Sequence, residues 1–596
     1  MSWIVIFSYI LRKKHKKPHF LNYFKLFTII LYKIYKNFHN YMSLKKDVAK
    51  FKPRKEQREA LEFINSEYQK NKLNKFFLLN LPIGVGKSHL AMMIADWYKT
   101  NVSKFARVDV ITNSKILQDQ YSGTYESICD LKGKENYECE TYACSCASGG
   151  EFNRLNKTSC ESCPYANARE SYISGGVSLT NFYLYILYAI YNQKLMESRD
   201  ARVLIVDESH DFDDVMSDFV SIKITETIVK KFKFSNEYDI IKRLKSVSNI
   251  SGYVEFLKYL NGEILDTCEQ MEKGMGTVQR NAKEDKRDLK ISKVLNVKNG
   301  DVKLMNLISD LKQYQLKIEV FLKEYKDNPD NWVLESGYNE KLRQKELSLE
   351  PIWAFDYLDK YVFSHYDMVF LMSGTILDKN LFCGLNGLDV SKAVYYSIGS
   401  PFPVINRPIY YMPLGKMSYK SKEETFQRYI PYIQKLLDKY KNKKGIIHTN
   451  SFELSNWIQE SIKDDRLIFH DSSNKDEMLK MHFESDEPTV IVSPSMGTGV
   501  SFDNDSSRFQ IIAKIPYPSL ASQKNKMRQS NNPDWYSWKT CAGLIQMTGR
   551  SVRSNTDYAD TIIIDGGFGD VIKHSSHFLP DWIQEAIKRI NVKIEA

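Results

Sequence analysis

The sequence predicts an α/β protein with buried parallel strands, a mostly helical insertion and a compact cysteine-rich segment. Its 596 residues are too many for a single hydrophobic core, so we expect several domains. The composition is 43% hydrophobic and 26% charged, which is typical of a globular protein and argues against extensive disorder. Three observations lead to this prediction: recurring apolar runs, helical periodicity in the middle of the chain, and clustered cysteines.

Short apolar runs recur along the chain, and small or polar residues follow each of them. The runs are Phe76–Leu81, Val108–Ile111, Val203–Val206, Met368–Met372, Gly445–Ile447, Val490–Val492, Phe509–Ala513 and Thr561–Ile564. Runs this apolar indicate parallel strands that are covered on both faces. Open α/β sheets bind ligands at the carboxyl ends of such strands, so we expect the functional site there.

Residues 215–355 differ from this pattern, because they are rich in Lys and Glu and contain few apolar runs. Several apolar residues in this region fall at helical spacing, namely Leu304, Leu307, Leu311, Tyr314, Ile318 and Phe321. The segment is also too long for a structureless loop. We therefore expect a largely helical insertion between two strands of the first sheet.

The formal net charge is +11, and eight basic residues lie in residues 1–41, which contain no acid. The rest of the chain carries only +3, so bulk charge does not by itself indicate a nucleic-acid partner. The uncharged stretch Ser171–Gln193 contains glycines, asparagines and tyrosines, which favours buried core over membrane. We expect residues 1–45 to be a basic extension outside the fold, with a membrane-surface helix as the alternative. We expect a soluble intracellular protein of the cytoplasm, nucleoid or nucleus.

The run Leu81–Ser88 follows a predicted strand and precedes helical sequence, which is the setting of a phosphate-binding loop. Glycines in such a loop let backbone N–H groups face the phosphates. Lys87 would reach the β- and γ-phosphates, and the Ser88 hydroxyl would bind Mg²⁺. The predicted nucleotide-binding residues of this loop are Gly84, Val85, Gly86, Lys87 and Ser88.

Two acids, Asp207 and Glu208, come directly after the apolar run Val203–Val206. Asp207 suits Mg²⁺ coordination, and Glu208 suits activation of an attacking water molecule. Acids at the end of a strand are common, but their combination with a phosphate loop predicts nucleotide hydrolysis.

A third motif, Gln546–Arg553, places Arg550 and Arg553 on one face of a predicted helix. Guanidinium groups stabilise the γ-phosphate in a transition state, although a solvated basic face is the common meaning of such a pair. The motif lies in the second half of the chain, so we expect ATP to bind between two lobes. The predicted catalytic residues are Lys87, Asp207, Glu208, Gln546, Arg550 and Arg553.

These motifs together resemble those of superfamily 2 helicases, and the finer resemblance is to the XPD/DinG family of iron–sulfur helicases. Further segments that resemble motifs of this family are Arg54–Gln57, Asp207–His210, Ser373–Thr375, Ser493–Phe502 and Ile515–Tyr517. The first is similar to the adenine-reading segment, which implies that Gln57 contacts adenine. The second is a variant of the D-E-A-H box. The resemblance covers about residues 46–570.

The resemblance implies two RecA-like helicase motor lobes with an inserted iron–sulfur cluster domain and an Arch-like insertion. The implied domains are motor domain 1 (46–124, 177–214 and 356–390), the cluster domain (125–176), the Arch-like insertion (215–355) and motor domain 2 (391–596). One segment departs from the family. Thr498–Ser501 lacks the usual aspartate of the fifth motif, and Asp503 is the candidate replacement.

Six of the nine cysteines lie within residues 129–163, which indicates a metal site in a reducing compartment. Four thiolates can hold a 4Fe–4S cluster or a zinc ion, and the spacing does not decide between them. The resemblance favours a 4Fe–4S cluster. The expected ligands are Cys139, Cys146, Cys160 and Cys163, with Cys144 as the alternative to Cys146 and Cys129 as a structural thiol.

The resemblance implies an ATP-dependent DNA helicase that uses Mg²⁺ and moves 5′→3′ on single-stranded and tailed duplex DNA. We expect a monomeric motor with no membrane partner. An RNA or RNA–DNA hybrid helicase is the alternative, because the general motifs do not separate these substrates. A DNA-binding or assembly factor with a vestigial motor is a third hypothesis, motivated by the altered fifth motif.

Overall fold

The first lobe is built from helices and strands that alternate along the chain. The computed structural model describes residues 40–590 apart from residues 142–143, 157–159, 161, 285–298, 340–342, 472, 498–499 and 503. The first elements are α1 (residues 40–49), α2 (Lys55–Lys70), β1 (Phe76–Asn80), α3 (Lys87–Asn101), β2 (Arg107–Thr112), α4 (Lys115–Thr124) and β3 (Ile128–Asp130). The cysteine module follows as β4 (Glu138–Cys139), β5 (Cys144–Ser145), α5 (Cys146–Asn156) and α6 (Pro164–Ser174).

The chain then returns to the first lobe, leaves it for the insertion and returns again. The first return consists of β6 (Val177–Asn181), α7 (Phe182–Tyr191), α8 (Gln193–Arg199), β7 (Ala201–Asp207) and α9 (Phe212–Val220). The insertion consists of β8 (Ile222–Thr225), α10 (Glu226–Phe232), α11 (Glu237–Ser246), α12 (Ile250–Glu284), α13 (Asn299–Asp327), β9 (Trp332–Asn339) and β10 (Gln344–Pro351). The second return consists of α14 (Phe355–Tyr361), β11 (Met368–Ser373), α15 (Lys379–Asn386) and β12 (Ala393–Ser397).

The second lobe is formed by the rest of the described chain. Its first elements are β13 (Ile409–Tyr411), α16 (Lys422–Lys439), β14 (Gly445–His448), α17 (Phe452–Ser461), β15 (Leu467–Phe469), α18 (Lys475–Glu484) and β16 (Val490–Ser493). Its last elements are β17 (Phe509–Ile512), α19 (Gln523–Asn531), α20 (Pro533–Thr548), β18 (Asp560–Ile563), α21 (Phe568–His574), α22 (Asp581–Gln584) and β19 (Ile587–Arg589).

The strands of the first lobe form a seven-stranded sheet in the order β12-β1-β11-β7-β2-β6-β3. All the described pairings in it are parallel. Asn80 pairs with Ser373, and Met372 pairs with Asp207, so the carboxyl ends of β1, β11 and β7 lie side by side. The register therefore brings the predicted phosphate loop and the two acids to one edge of the sheet.

The second lobe has its own seven-stranded parallel sheet, in the order β15-β16-β14-β17-β18-β13-β19. All eight predicted strands are present in the two sheets, which confirms the apolar-run interpretation. Strands β3, β6 and β12 of the first sheet and β13, β15 and β19 of the second were not predicted. Most of these are three residues long or lie at a sheet edge, where continuous apolar sequence is not required.

Three domain boundaries in the structure differ from those that the resemblance implies. Leu44 of α1 is fully buried in the core of the first lobe, so residues 40–45 belong to the fold and not to an extension. Strand β3 pairs with β6 and is part of the first sheet, although it falls inside residues 125–176. Strand β12 pairs with β1 and extends the first lobe beyond residue 390. Residues 1–39 lie outside the described residues.

The insertion contains the predicted helix, with Leu311, Ile318 and Phe321 of α13 buried. It also contains a three-stranded antiparallel sheet in the order β8-β10-β9, which was not predicted. The strands β9 and β10 carry several charged residues and half-exposed positions, so they lack the apolar signature of buried strands.

The uncharged stretch Ser171–Gln193 forms the end of α6, all of β6 and all of α7. Tyr172 and Tyr185 in this stretch are fully buried, which agrees with its interpretation as core. Within the described part of the chain, no helix has the length and apolarity that crossing a bilayer requires.

Candidate active site

The loop between β1 and α3 has the backbone conformation of a phosphate-binding loop. Gly84 has φ = 94° and Gly86, the residue before α3, has φ = 82°, and both values favour glycine. A Cβ atom at Gly84 would overlap the ring of Phe402, so a side chain cannot be added there without displacing that ring. The amino terminus of α3 is thus presented to the cleft, where its dipole and its N–H groups favour an anion.

Gln57 supports this loop from α2. Its Nε2 donates to the carbonyl oxygen of Gly86 at 3.0 Å, and its Oε1 accepts from the backbone N–H of Arg54 at 2.9 Å. The Arg54 guanidinium donates to the carbonyl of Gly84. Both ends of the Gln57 amide are therefore engaged within the protein, and its contact with adenine stays a prediction.

Lys87, at the start of α3, and Glu208, directly after β7, form an ion pair within the first lobe. The Nζ atom of Lys87 lies 3.1 Å from Oε1 of Glu208. Burial alone would raise the pKa of Glu208, but Lys87 and His210 hold it below its ordinary value. Glu208 has φ = 58°, a left-handed conformation that turns the chain sharply after β7. Its carboxylate is therefore ionised and lies at the predicted phosphate site.

Asp207 is buried at the end of β7, with 1% of its surface exposed. Its Oδ2 accepts from the hydroxyl of Tyr121 at 2.8 Å, and its Oδ1 accepts from the N–H of Glu208 at 3.1 Å. Burial, with the neighbouring charge of Glu208, raises the pKa of Asp207 to about 6. A divalent cation beside this carboxylate would favour its ionised form.

His210 connects the two lobes. Its Nδ1 lies 2.8 Å from the hydroxyl of Ser373 in the first lobe, and its Nε2 contacts the amide of Gln546 in the second. The side-chain oxygen of Gln546 accepts from Arg550 at 3.1 Å. The motifs at the ends of β7, β11 and α20 are thus joined by hydrogen bonds.

Arg550 is directed toward backbone carbonyls of its own lobe. It donates to Gly497 at 2.9 Å and to Val500 at 2.9 Å. Burial, together with nearby Arg553, lowers the pKa of Arg550 to about 10. Arg553 also lines the cleft, and its backbone N–H donates to Asp557 at 3.1 Å. Their predicted contact with the γ-phosphate stays a prediction.

The cleft between the lobes has a volume of about 480 Å³. Its walls bring together five of the six predicted catalytic residues, namely Lys87, Glu208, Gln546, Arg550 and Arg553. In the fifth motif, Val500 and Ser501 line the cleft, whereas residues 498–499 and 503 lie outside the described residues. Volume and lining are compatible with a small organic anion.

Two polar residues near this cleft were not identified as candidate site residues from the sequence. Asn113 follows β2, and its side chain donates to Asp211 at 2.9 Å. Its position after an apolar run was a usable signal. Tyr121 lies in α4, and nothing in the local pattern marks it as a partner of Asp207.

The cysteine module brings the four predicted ligands together in pairs. The Sγ atoms of Cys139 and Cys160 are 4.0 Å apart, and those of Cys146 and Cys163 are 3.5 Å apart. Burial and the Cys163 thiol raise the pKa of Cys146 to about 12. Across the described ranges, no group of three or more His, Cys, Asp or Glu side chains is arranged to hold a metal ion. The ligand set therefore stays a prediction.

Comparison with known proteins agrees with this geometry. Residues 50–237 match the family model of the type III restriction enzyme res subunit, and residues 433–586 match that of a helicase C-terminal domain. ATP-dependent DNA helicase CHL1 of Eremothecium gossypii is 20% identical over 491 residues, which cover 72% of this chain and 60% of that protein. Probable ATP-dependent helicase MJ0942 of Methanocaldococcus jannaschii is 20% identical over 602 residues, which cover 84% of this chain and 90% of that protein.

A solved structure of an XPD helicase superimposes with a TM-score of 0.56 at 14% identity, covering 90% of this chain and 100% of the other. This likeness concerns the fold, and it identifies the two parallel-sheet lobes as RecA-like. The chain spans about 60% of the length of the CHL1 relatives that it matches. In its motifs, its two matched domains and its fold, the chain is similar to the XPD/DinG-like superfamily 2 helicases.

Proposed function

We propose that this chain is an ATP-dependent DNA helicase that moves 5′→3′ on single-stranded DNA and separates duplex strands. The observation that carries the proposal is the cleft in which Lys87 and Glu208 of the first lobe face Gln546 and Arg550 of the second. A nucleotide bound there would contact both lobes, so its hydrolysis can change how they fit together. The CHL1 relatives are named DNA helicases, which supports DNA as the strand that is moved.

Lys87 would exchange partners when nucleotide binds. Its ammonium group pairs with Glu208 at 3.1 Å, and a γ-phosphate in the loop would compete for the same charge. Once Lys87 contacts phosphate, the Glu208 carboxylate is left to accept a proton from the attacking water. The ion pair is therefore a resting arrangement of two groups that separate on substrate binding.

Ser88 and Asp207 would hold Mg²⁺. A serine hydroxyl and a buried carboxylate are hard oxygen donors, which is the ligand chemistry that this ion prefers. When bound, Mg²⁺ would neutralise charge on the β- and γ-phosphates. The orientation of both donors depends on residues of this chain.

Arg550 and Arg553 would stabilise charge on the transferred phosphoryl group from the second lobe. Arg550 donates to the carbonyls of Gly497 and Val500, so reaching phosphate requires it to exchange these partners. Such an exchange would couple the chemistry to a change in the loop before β17.

Binding of the DNA strand itself would be mostly to phosphates, and hence tolerant of sequence and weakened by salt.

The cysteine module fits a 4Fe–4S cluster by donor chemistry, since four thiols of one module meet in pairs. The proposed ligands are Cys139, Cys146, Cys160 and Cys163, and a zinc ion is the alternative. Anaerobically purified protein should contain iron and acid-labile sulfide. Cys163→Ser should lose both, whereas Cys129→Ser, in β3, should retain both. If the purified protein contains zinc and no acid-labile sulfide, the site binds zinc instead of a cluster. A comparison of metal content in Cys144→Ser and Cys146→Ser identifies the fourth ligand.

The proposed function is tested by strand displacement on DNA duplexes that carry either a 5′ or a 3′ single-stranded tail. ATP-dependent unwinding from the 5′ tail alone is expected, with loss of unwinding and hydrolysis in Lys87→Ala. Lys70→Ala is the matched control, because Lys70 is an exposed lysine in an i,i+3 pair with Glu67 on the neighbouring helix α2.

Other outcomes separate the alternatives. Unwinding from the 3′ tail would support helicase activity but contradict the proposed 5′→3′ direction of movement. More efficient unwinding of matched RNA or hybrid duplexes would favour the RNA or RNA–DNA hybrid substrate. Equal ATPase rates in Lys87→Ala and wild type would contradict the nucleotide site itself.

A further inference from the structure

Tyr121 lies on the inner face of α4 and is fully buried. Its hydroxyl donates to Oδ2 of Asp207 at 2.8 Å. The phenol therefore contacts one of the two side chains that are proposed to hold the divalent cation. None of the nucleotide-binding motifs includes this residue.

The Asp207 carboxylate is oriented by two hydrogen bonds from different directions. Oδ2 accepts from Tyr121, and Oδ1 accepts from the N–H of Glu208. Because each carboxylate oxygen has a further lone pair, both bonds can persist while the group faces a cation. Removing the phenol hydroxyl would leave the carboxylate held at one oxygen only.

Helix α4 is itself fixed, so the phenol is held in place. Gln118, one turn before Tyr121, is fully buried. Its Oε1 accepts from Asn181 at 3.0 Å, and its Nε2 donates to the carbonyl of Leu131 at 3.0 Å. These bonds join α4 to the end of β6 and to the segment that leads into the cysteine module. A rigid support of this kind is what precise orientation of a metal ligand requires.

We propose that Tyr121 is a positioning residue for the divalent cation, acting through Asp207. The assignment rests on the proposed function, because it presumes a nucleotide–metal site at the phosphate loop. Hydrogen-bond partners of metal ligands typically change metal affinity by about 10–100-fold when they are removed. A purely structural tyrosine would affect stability and leave metal affinity unchanged.

The test compares Tyr121→Phe with wild type by titrating Mg²⁺ into protein bound to a fluorescent ADP analogue. The expected result is that Tyr121→Phe needs about 10-fold or more Mg²⁺ for the half-maximal change, as removal of a ligand's partner predicts. Binding of the analogue in excess chelator should be equal in the two proteins. The change to phenylalanine conserves shape, and the melting temperature of each protein reports any loss of stability separately.

Tyr125→Phe is the matched control, because Tyr125 lies one helical turn beyond Tyr121 and its hydroxyl is 3.3 Å from His89. This variant should keep the Mg²⁺ dependence of the wild type. Equal Mg²⁺ dependence in Tyr121→Phe and wild type would overturn the assignment while leaving the proposed function intact. A wild-type protein whose nucleotide binding ignores Mg²⁺ would overturn both.

Discussion

His210 in the first lobe contacts Gln546 in the second, although 336 positions separate them in the chain. The opposite ring nitrogen of His210 lies 2.8 Å from the hydroxyl of Ser373. Gln546 in turn accepts a hydrogen bond from Arg550 at 3.1 Å. His210, which follows β7, and Arg550, which follows α20, are thus connected by a chain of polar side chains that crosses the cleft.

Gln546→Leu should uncouple the two lobes. The variant keeps the size of the side chain and removes both the contact with His210 and the acceptor for Arg550. We expect kcat for ATP hydrolysis to fall roughly 100-fold, as misplacement of a catalytic group does, with little change in nucleotide affinity. Gln523→Leu, at an exposed position of α19, is the control in the same steady-state assay. An unchanged kcat in Gln546→Leu would show that the contact between His210 and Gln546 does not contribute to hydrolysis.

Glu208→Gln should bind nucleotide and fail to hydrolyse it. The amide cannot accept a proton from water, and general-base catalysis typically contributes about 10²–10⁴-fold. Lys87 would no longer face a charged partner, so affinity for ATP should be equal to or higher than that of the wild type. Single-turnover hydrolysis and equilibrium nucleotide binding measure the two effects. Substantial hydrolysis by this variant would exclude Glu208 as the base.

Arg528 of α19 forms a buried contact between the lobes, with 1% of its surface exposed. Its guanidinium lies 3.2 Å from Asp213 and 3.2 Å from Asp214, both in α9 of the first lobe. The rings of Trp353 and Trp535 lie against it, with centroids at 5.0 and 5.5 Å. This contact joins the helix after the acidic motif to the helices that lead to Gln546.

Arg528→Met should destabilise the protein strongly, because Asp213, which is largely shielded from solvent, would lose its guanidinium partner. Removing one member of a buried ion pair typically costs about 3–5 kcal/mol. Arg428→Met is the control, since Arg428 forms an exposed i,i+4 pair with Glu424 that should contribute about 0.5 kcal/mol or less. Urea unfolding of the two variants measures the difference. Equal midpoints would show that the lobes do not depend on this network.

His448 at the end of β14 should make stability depend on pH. Burial, with Arg550 nearby, lowers its pKa from 6.5 to about 4, and one ring nitrogen lies 3.4 Å from Gln510. The folded state keeps the ring neutral while the unfolded state takes up a proton below pH 6.5. The stabilisation is therefore complete above that pH and is lost as the pH falls toward 4.

Between about pH 7.5 and about pH 5, this one group should lower the free energy of unfolding by about 2 kcal/mol. His448→Gln should reduce the pH dependence by that amount, whereas the exposed His574→Gln should not. Urea unfolding at the two pH values provides the comparison. An unchanged pH dependence in His448→Gln would show that His448 is not the group responsible.

Much of the fold was predictable because buried parallel strands have a local signature. Runs such as Phe76–Leu81 and Val203–Val206 are apolar over their whole length, and the residues after them bear the chemistry. The strands of the inserted antiparallel sheet were missed because one face of such a sheet can be polar. Strand β12 was missed because an edge strand needs less apolar sequence, and this moved the predicted end of the first lobe.

The candidate site divides in the same way. Gly84 and Gly86, Lys87 and the acids after β7 could be identified from sequence because each belongs to a short segment whose chemistry and backbone needs are local. The roles predicted for Gln57 and Arg550 stay predictions. The structure adds that both side chains donate to backbone carbonyls, which no local pattern reveals.

The sequence by itself determined the eight apolar strands of the two sheets, the chemical groups that follow them and the resemblance to a helicase family. Only the tertiary structure decided that Tyr121 contacts Asp207 and that His210 contacts Gln546. The reason is physical: strand and loop patterns depend on neighbouring residues, whereas these contacts depend on sheet order, helix packing and the approach of two lobes.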